Sequence, residues 1–543
     1  MNRTLPCSLL AWLGAASLGL AQNAKPATDT KPPAKAPAEK KPKPEKANYP
    51  QAPASDYYHV EEITMPPNLS AETGGLDCLP DGQLAACFHR GEVYIYNPAK
   101  RQWRLFADGL HDPLGIHAVN DHEMIVMQRP ELTRIRDTDG DGVADDYETI
   151  TDGFGMSGNY HEFAYGPLLD KEGNYYISLN VASNGAGIRY ELRGEQNRYN
   201  PINTRMFSPV PWRGWVMKVT PKGELIPFAP GFRSPNGLGF DAEGHLLVSD
   251  NQGDWLGTSP VYHVEEGKFY GHPASLAWRE GENRETNKIP IPELEKMRTR
   301  GAVLFPEGIL ANSPTQPFLD STHGKFGPFS GQMLIGDYTR AYVMRMMLEK
   351  VDGQWQGAGA PFLERTGMSG GMNRLAFSPD GSLWVGHTSH GWGGSTGISH
   401  VTWTGKTPLD ILEMHLTRNG FKLVFTKPVK EAEAILPSTY KLTRYRYEYG
   451  PAYGSPQRNL EDVPVMSATL APDRKSVTLD LGELVAWRIY EMHLNGLRSD
   501  EGELPLNTMY FYTLNHLLEN TPPPPVSEQK PSSTRAEGKP SAD

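Results

Sequence analysis

The sequence predicts an all-β protein, a six-bladed β-propeller followed by a small β-sandwich of the immunoglobulin or fibronectin type. A phrase made of an apolar strand, a turn rich in Asp and Gly, and a second apolar strand recurs along the chain. The 543 residues include 55 glycines and 47 prolines, which suits a chain with many turns. After Trp403 the strands still alternate, but the phrase no longer recurs, which indicates a second all-β domain.

The repeated phrase is the main organising feature of the chain. Four copies carry Asp and Gly in the turn: LDCLPDGQLAACF, FAYGPLLDKEGNYYISL, LGFDAEGHLLVSD and LAFSPDGSLWVGH. LGIHAVNDHEMIVMQ is a fifth copy with Asn-Asp in its turn, and FSGQMLIGDYTRAYVMRM matches the second half of a sixth. Six such units over roughly 350 residues predict a propeller with long insertions, and a β-sandwich with Asp-Gly hairpins is the alternative.

Composition divides the chain into five segments. The first contains Arg3 and an apolar run from Leu9 to Leu20, which is typical of an export signal and too short to span a bilayer. We expect a signal peptide (1–21), a Lys/Pro/Ala-rich disordered linker (22–53), the propeller (54–404), the sandwich (405–516) and a disordered Pro-rich tail (517–543). We therefore expect a monomeric protein exported to the periplasm or the extracellular space and not spanning a membrane.

Three segments after Trp403 predict strands, namely PLDILEMHLTRNGFKLVFTKPV, SVTLDLGELVAWRIYEMHL and MYFYTLN. A run of tyrosines lies in a loop or edge strand of this segment, at Tyr445, Tyr447, Tyr449 and Tyr453. Such a run is more typical of packing or domain contact than of a sugar-binding surface.

Charge and cysteine content narrow the function classes. The formal net charge of −11 disfavours nucleic acid as a partner, because a duplex requires a basic surface. Cys78 and Cys87 flank the turn at Pro80 on strands that should pair, so a hairpin disulfide is left open, although the simplest register places the two cysteines diagonally. The chain has no C-x-x-C-H motif, which excludes covalent haem.

The stretch RDTDGDGVADDYE predicts a calcium-binding loop. It fits the pattern D-x-[DN]-x-[DN]-G-x5-E, in which side-chain oxygens and one backbone carbonyl surround the ion. The predicted ligands are Asp137, Asp139, Asp141, the carbonyl of Val143, Asp145 and Glu148. Because strand-like sequence precedes it, we interpret the loop as a structural brace that ties an excursion between the second and third units and shapes the funnel wall, with an exposed acidic turn as the alternative.

Polar phrases flank each copy of the repeat, and they should converge on one face of the propeller. The loop before the first strand and the loop after the second strand lie at the same end of an antiparallel pair. The expected face collects His111, His117, Arg129, His161, Glu162, Arg233, Asn236, Asp250, Asn251, Gln252, Asp254, Asp337, Arg340, Arg374, His387 and His390. Any one of these is more typical of a hydrogen-bonded structural residue, but the set indicates a funnel suited to proton abstraction and to binding a polyol or an anionic cofactor.

Two phrases are the most specific within this set. In SGNYHEFAYGP, His161 stands at a strand entry, where it could take a hydroxyl proton while hydride leaves the same carbon. In FRSPNGLGFDAEGHLLVSDNQGDW, oxygen-bearing side chains meet near the axis and could hold a second calcium. Turn capping is the alternative role for Asn236 and Asp250.

At this level of detail the chain resembles the sorbosone dehydrogenase-like and soluble pyrroloquinoline-quinone glucose dehydrogenase-like propellers, in particular a secreted branch common in planctomycete and verrucomicrobial bacteria. The resemblance covers roughly residues 56 to 403 and is carried by QRPELTRIRDTDGDG, SGNYHEFAYGP, FRSPNGLGF, GKFYGHP and HGKFGPFSGQMLIGD. It implies a six-bladed propeller that holds pyrroloquinoline quinone over calcium and oxidises a sugar or polyol, passing electrons to an external acceptor.

The resemblance also implies roles for individual residues. His161 would be the general base, and Arg233 would contact quinone and substrate. The residues expected to bind the cofactor are Arg129, Asn236, Asp250, Asn251, Gln252, Arg374 and His387. The chain departs from those dehydrogenases in two places. After the copy LGFDAEGHLLVSD, the segment DNQGD stands in place of an acidic Gly-Pro calcium loop. The lysine and the paired arginines that hold the quinone late in those chains have no convincing match here.

Two other functions are compatible with the same residues. SPNGLGFDAEGHLLVSD is similar to gluconolactonase-type propellers, in which an Asn and an Asp bind an axial metal that polarises a lactone carbonyl for hydrolysis. A glycan-binding propeller without catalysis is the third hypothesis. The dehydrogenase requires a quinone and an electron acceptor, the lactonase requires only metal and water, and the binding protein turns nothing over.

Overall fold

The computed structural model describes residues 49–185, 193–197, 205–282, 284–390 and 394–518. Within them, six antiparallel four-stranded units form a closed ring, which confirms the predicted β-propeller. The first strand of each blade is innermost and contacts the innermost strands of both neighbouring blades. The predicted signal peptide, most of the linker and most of the tail lie outside the described residues.

The strands of the first three blades follow one another along the chain. The strand β1 (Tyr58–Glu62) precedes them in the chain but belongs to blade six. Blade one contains β2 (Thr73–Cys78), β3 (Leu84–Phe88), β4 (Val93–Asn97) and β5 (Gln102–Ala107). Blade two contains β6 (Gly115–Asn120), β7 (Glu123–Met127), β8 (Leu132–Arg136) and β9 (Asp146–Thr151). Blade three contains β10 (Ala164–Leu169), β11 (Tyr175–Leu179), an inserted pair β12 (Ala182–Ser183) and β13 (Met206–Phe207), then β14 (Trp215–Val219) and β15 (Leu225–Pro230).

The last three blades carry the main helical insertion and the ring closure. Blade four contains β16 (Gly237–Phe240), β17 (Leu246–Ser249), β18 (Ser259–Val264), helix α1 (Ile291–Met297) and β19 (Val303–Phe305). Blade five contains β20 (Pro314–Leu319), β21 (Met333–Asp337), β22 (Val343–Val351) and β23 (Gln354–Phe362). Blade six contains β24 (Met372–Phe377), β25 (Leu383–His387) and β26 (Gly397–Trp403). Short 3-10 helices lie at Ala54–Asp56, Pro273–Trp278, Thr286–Lys288 and Pro437–Thr439.

The N-terminal strand closes the ring. β1 pairs antiparallel with β26, with Tyr58 opposite Trp403 and Glu62 opposite Ser399, and so supplies the fourth strand of blade six. The folded region begins before this strand, since Ala52 is buried and its N–H donates to the carbonyl of Pro505. The last residues of the predicted linker are therefore packed against the appended domain.

The Asp-Gly turns of the repeat have a local physical cause. The Asp81 carboxylate accepts a hydrogen bond from the backbone N–H of Gln83 at 3.0 Å, and Gly82 takes a φ of +86°, where a side chain would be strained. The same pairing of an Asp cap with a glycine of positive φ recurs at Asp170–Gly173, Asp241–Gly244 and Asp380–Gly381.

The C-terminal domain consists of two sheets over one core. Its elements are β27 (Ile411–Leu416), β28 (Gly420–Phe425), α2 (Glu431–Ala434), β29 (Tyr440–Arg446), β30 (Arg458–Val463), β31 (Ser467–Leu470), β32 (Ser476–Asp480), β33 (Arg488–Leu494) and β34 (Met509–Leu514). β34 pairs with β23, so one sheet of this domain continues blade five, and residues of blade five such as Met347 belong to the shared core. None of the described helices is long and apolar enough to cross a membrane.

A buried ion pair joins the two domains. The Arg345 guanidinium of β22 contacts the Asp410 carboxylate at 3.1 Å, and both side chains are fully buried. Asp410 also accepts hydrogen bonds from Asn507 and Tyr510, so the pair is embedded in a polar network.

The hairpin disulfide that the sequence left open is not formed. Cys78 lies opposite Leu84, whereas Cys87 lies opposite Gly75, so the two thiols stand at different levels of the hairpin. Cys78 contacts the Ser378 hydroxyl and Cys87 contacts the Pro113 carbonyl.

Candidate active site

A cavity of about 500 Å³ opens at one end of the propeller axis. Its wall is built from loops that precede the first strand and follow the second strand of several blades, as the repeat predicts. Its polar lining includes His89, His161, Ser183, Asn184, Arg205, Arg233, Ser234, Asn236, Asn251, Gln252, Glu307, Asn312, Thr339, Asn373, Thr388, His390 and Tyr453. The size is within the usual range of small-molecule sites.

His161 is fixed as a neutral imidazole in this wall. Its Nδ1 lies 2.7 Å from the Val181 carbonyl, which can only accept, so Nδ1 carries the proton. Its Nε2 is then an acceptor, 3.4 Å from the Ser234 hydroxyl, which itself accepts from Asn180. Burial, with the nearby Arg233 charge, lowers the pKa of His161 to about 4, so the base is unprotonated at neutral pH.

Arg233 lies beside His161 and is held by a buried carboxylate. Its Nε donates to Asp254 at 2.9 Å, and the other Asp254 oxygen lies 3.4 Å from His272 Nε2. Burial opposes ionisation of Asp254, but the His272 and Arg233 contacts outweigh it and lower its pKa below the ordinary range. Gly253 is required here, because a Cβ would lie 2.0 Å from Arg233 Nε.

Asp250 caps a loop and does not line the cavity. Its carboxylate accepts from the backbone N–H groups of Arg233, Ser234 and Asn251 at 2.7–2.8 Å, and burial raises its pKa to about 6. Asp337 plays the same part in blade five, where it accepts from the N–H groups of Asn312 and Ser313. The capping role, weighed as the alternative for Asp250, is the one its geometry fits.

Arg374 occupies the propeller axis below the cavity. Its guanidinium donates to the Asn236 and Asn373 side-chain oxygens at 3.1 and 2.9 Å and to the Leu114 carbonyl at 2.8 Å. It has no carboxylate partner among the described residues, and burial lowers its pKa to about 10. An axial calcium held by Asn236 and Asp250 does not fit this arrangement, because a cation already occupies the axis and both side chains are engaged.

Two other residues expected to bind a cofactor lie behind the wall. Arg129 bonds the Asp112 carboxylate and donates to the Tyr160 carbonyl at 2.9 Å, so it supports the turn that carries His161. His387 is fully buried, with Nε2 2.6 Å from Ser399 and Nδ1 3.2 Å from the Gly370 carbonyl. Of the seven expected cofactor-binding residues, Asn236, Asn251 and Gln252 line the cavity, while Asp250, Arg129, Arg374 and His387 do not.

A histidine pair that the sequence analysis did not single out as a unit lies on the opposite wall. The rings of His89 and His390 stack with centroids 4.3 Å apart, and His89 Nδ1 lies 2.8 Å from Asp112 Oδ1. His89 follows the second strand of blade one, in the same position as Asp250 in blade four. That equivalence was the signal that could have identified it.

Glu307 is the one carboxylate in the described lining of the cavity. Its Oε2 is buried without a hydrogen-bond partner among the described residues, and burial, together with the Asp337 charge, raises its pKa to about 7. Arg205 and Arg233 share this lining, and Arg233 is paired with Asp254, so the cavity presents charges of both signs to a ligand.

The appended domain supplies part of the wall. Its loop docks on blade four through backbone hydrogen bonds from Trp255 to Gly450 and from Gly454 to Gly253, each 2.8 Å. This places the Tyr453 ring 4.1 Å from the Arg205 guanidinium carbon, at the edge of the cavity. The tyrosine run is thus a domain contact, as expected, and one of its members also reaches the site.

The predicted calcium loop is only partly assembled. Ligand atoms of Asp137, Asp139 and Asp141 lie within 4.8 Å of one another. Asp145 instead bonds the Thr138 hydroxyl at 2.8 Å. Glu148 belongs to β9 and bonds Arg134 and Arg136 at 3.1 and 2.9 Å, so these two expected ligands do not join the cluster.

The loop also lies elsewhere than expected. It joins the third and fourth strands within blade two, and the third strand runs away from the cavity, so the loop is at the opposite face. The Ala144 N–H donates to the Phe106 carbonyl at 2.7 Å, and Arg104 donates to the Gly142 carbonyl. The loop therefore braces blade one against blade two and does not shape the funnel wall. The exposed Val143 offers only a backbone carbonyl to an ion.

Comparison with known proteins gives a family match and structural likenesses. The family model described as "Domain of unknown function (DUF7133)" matches residues 101–388. No curated protein matches the sequence. A proposed glucose dehydrogenase from Thermus thermophilus is 18% identical, with a TM-score of 0.45 over 63% of this chain and 99% of that one.

Two further solved structures cover similar shares. The pyrroloquinoline-quinone-bound aldose sugar dehydrogenase from Streptomyces coelicolor is 14% identical, with a TM-score of 0.45 over 66% of this chain and 100% of that one. A proposed gluconolactonase is 16% identical, with a TM-score of 0.38 over 64% and 92%. Each therefore matches about two thirds of this chain.

Proposed function

Because the chain belongs to the family described as "Domain of unknown function (DUF7133)", whose description names no reaction, we propose its function from the cavity: oxidation of a sugar or polyol with pyrroloquinoline quinone as cofactor. The observation that carries this proposal is the pairing of a neutral, oriented His161 with a fixed Arg233 in one wall. Such a pair can take a hydroxyl proton and bind an anionic or carbonyl oxygen at the same place.

The described lining fits an anionic, planar quinone. Arg205 and Arg233 supply positive charge for carboxylates, and Tyr453 supplies an aromatic face beside them. The Asn251 side-chain oxygen is buried without a partner among the described residues, so one oxygen ligand for an accompanying calcium is present. When bound, the quinone would supply a two-electron acceptor.

The proton chemistry follows from the hydrogen bonds of His161. The Val181 carbonyl holds the proton on Nδ1, so Nε2 faces Ser234 as the acceptor for a substrate hydroxyl proton. Because the pKa of His161 is about 4, the imidazole is unprotonated at neutral pH, and Nε2 is available to accept that proton. Arg233 cannot compete for that proton, since a guanidinium stays charged.

The test is a titration of calcium-loaded protein with pyrroloquinoline quinone, following quinone absorbance and melting temperature together. We expect saturable binding with a rise in melting temperature, and sugar-dependent reduction of a redox dye by the loaded protein. Arg233→Lys should weaken quinone binding at least about tenfold, since a charge-assisted hydrogen bond contributes about 1.5–3 kcal/mol. Arg418→Lys, at an exposed turn of the appended domain, is the matched control and should bind like the unchanged protein.

The outcomes separate the rival functions. Absence of quinone binding overturns the dehydrogenase. Sugar binding without turnover would then indicate a glycan-binding propeller. Metal-dependent lactone hydrolysis is disfavoured by the geometry, because Asn236 and Asp250 are engaged by Arg374 and by backbone amides.

We also propose a calcium ion in the loop at Asp137, Asp139 and Asp141. Three converging carboxylates repel one another unless a cation joins them, and the alternating aspartates provide the hard oxygen ligands that calcium prefers. The ion would stabilise the contact between blades one and two.

We also propose that the protein is exported, as the N-terminal sequence predicts. The test is whether residues 1–21 are removed from the secreted protein.

A further inference from the structure

A second cluster of metal-binding side chains lies on blade four, at the face opposite the cavity. Asp241 and His245 come from the turn between β16 and β17, and His263 comes from β18. One ligand atom from each of the three side chains lies within 4.8 Å of the others. The cluster combines two imidazoles and a carboxylate, unlike the all-carboxylate cluster of blade two.

The hairpin holds the carboxylate in a fixed orientation. Asp241 Oδ1 accepts from the backbone N–H groups of Glu243 and His245, both at 2.9 Å, so Oδ2 is turned toward His245 Nδ1 at 3.0 Å. His263 lies opposite Leu247 on the neighbouring strand, which brings its ring beside that of His245. The same Asp cap that forms the hairpin turn therefore leaves the second carboxylate oxygen facing the imidazole of His245.

The orientation of the rings permits a shared ion. An imidazole binds a metal close to its own ring plane, and the planes of His245 and His263 cross at 54° with centroids 4.8 Å apart. By contrast, the His89 and His390 rings are inclined by only 18° and stack, so an ion cannot lie in both planes. His263 Nε2 is also buried and has no hydrogen-bond partner in the part of the chain that the structure describes.

We propose that Asp241, His245 and His263 bind a divalent transition-metal ion of the zinc class. Two imidazole nitrogens and one carboxylate oxygen match the ligands that zinc takes, whereas calcium prefers oxygen alone. Glu243 and Glu265 lie 3.8 and 3.9 Å from the two rings and add negative charge around the ion.

The ion would connect three strands of blade four. His245 is one-third exposed, so the site is open to solvent, while His263 and Asp241 are largely buried. Metal at His245 replaces the proton that its Nδ1 shares with Asp241.

Trp355 of blade five provides a local reporter. Its ring centre lies 5.4 Å from that of His245 and 5.7 Å from that of His263. A bound Cu²⁺ ion, which takes the same nitrogen ligands, should quench the fluorescence of this tryptophan. Trp355→Phe should remove that part of the quenching without removing the ion.

The experiment is a calorimetric Zn²⁺ titration of the untagged full chain in saturating calcium, which occupies the aspartate loop. We expect one equivalent of zinc to bind, His245→Asn to weaken it at least tenfold, and His263→Asn to do the same. His122→Asn is the matched control, because His122 also sits in a hairpin turn of this face and bonds Asp137 at 3.0 Å.

Every outcome decides the proposal. Zinc binding that survives either His245→Asn or His263→Asn, or that is lost in His122→Asn instead, places the ion elsewhere and overturns the proposal. Absence of zinc binding to the unchanged protein overturns it directly. Should His263→Asn unfold, the partly exposed His245→Asn and the quenching difference in Trp355→Phe still decide.

Discussion

The Tyr453 ring of the appended domain lies over the Arg233 guanidinium of the propeller, with 5.5 Å between the guanidinium carbon and the ring centre. More than two hundred positions separate the two residues in sequence, and the docked loop of the appended domain brings them together. The appended domain is therefore part of the candidate site and not only an attachment to it.

Tyr453→Ala should weaken pyrroloquinoline-quinone binding about fivefold, because contact between the Tyr453 ring and the planar quinone would contribute about 1 kcal/mol. Tyr453→Phe keeps the ring and should bind within twofold of the unchanged protein. Quinone absorbance titration measures both variants, with melting temperature as the check on folding. Equal affinity in Tyr453→Ala would remove the ring from the proposed site.

His161→Gln should reduce the amount by which the free energy of unfolding decreases as the pH falls from 7 to 5. In the folded protein the pKa of His161 is about 4, below its value near 6.5 in the unfolded chain. Between these two pH values the unfolded chain binds more protons than the folded protein. The free energy of unfolding therefore decreases as the pH falls. From pH 7 to pH 5 the contribution of His161 to this decrease in the free energy of unfolding is about 2 kcal/mol. Urea unfolding at both pH values measures it, and an equal pH dependence in the variant would contradict the buried neutral imidazole.

Asp410→Ala should destabilise the protein by about 3–5 kcal/mol, because it leaves the Arg345 charge buried without its counter-ion. Arg345→Met should cost less, since Asp410 keeps its hydrogen bonds from Asn507 and Tyr510. Thermal unfolding of both variants gives the comparison. A larger loss for Arg345→Met would mean that the arginine acts mainly through packing on Phe329.

The double variant Asp139→Ala/Asp141→Ala should abolish the rise in melting temperature that calcium gives to the unchanged protein. Removing two of the three converging carboxylates removes the ligands and also their repulsion, so the variant should melt alike with calcium and with chelator. Glu148→Gln is the control and should retain the calcium effect, because Glu148 bonds Arg134 and Arg136 instead. If the unchanged protein has the same melting temperature in calcium and in chelator, the loop does not bind calcium as proposed.

The blades and the cavity face could be predicted because they depend on local chemistry and strand order. An Asp cap with a glycine of positive φ determines each hairpin within a few residues, and the direction of the first strand determines which loops share a face. Sequence spacing does not determine which way a side chain turns. His387 stands at the correct end of its strand, yet its ring bonds Ser399 inside the blade.

Long-range contacts explain the other differences. Glu148 fits the calcium pattern residue for residue, but strand pairing places it opposite Arg134, and two arginines bind it there. Tyr453 and Glu307 reach the cavity through packing between distant segments, which no local pattern records. The sequence is compatible with Asp250 as a metal ligand or as a cap, and only the positions of three backbone amides distinguish the two.

The way in which the ring closes has a consequence for how the chain acquires its structure. β1 is synthesised first, but its partner β26 lies more than 330 residues later, so its edge stays unpaired until the last blade exists. A chain emerging N-terminus first can therefore close the propeller ring only after β26 has been made, when its earliest and latest propeller strands can pair. Truncations that remove β26 should therefore leave an open, aggregation-prone ring and not a shorter working one.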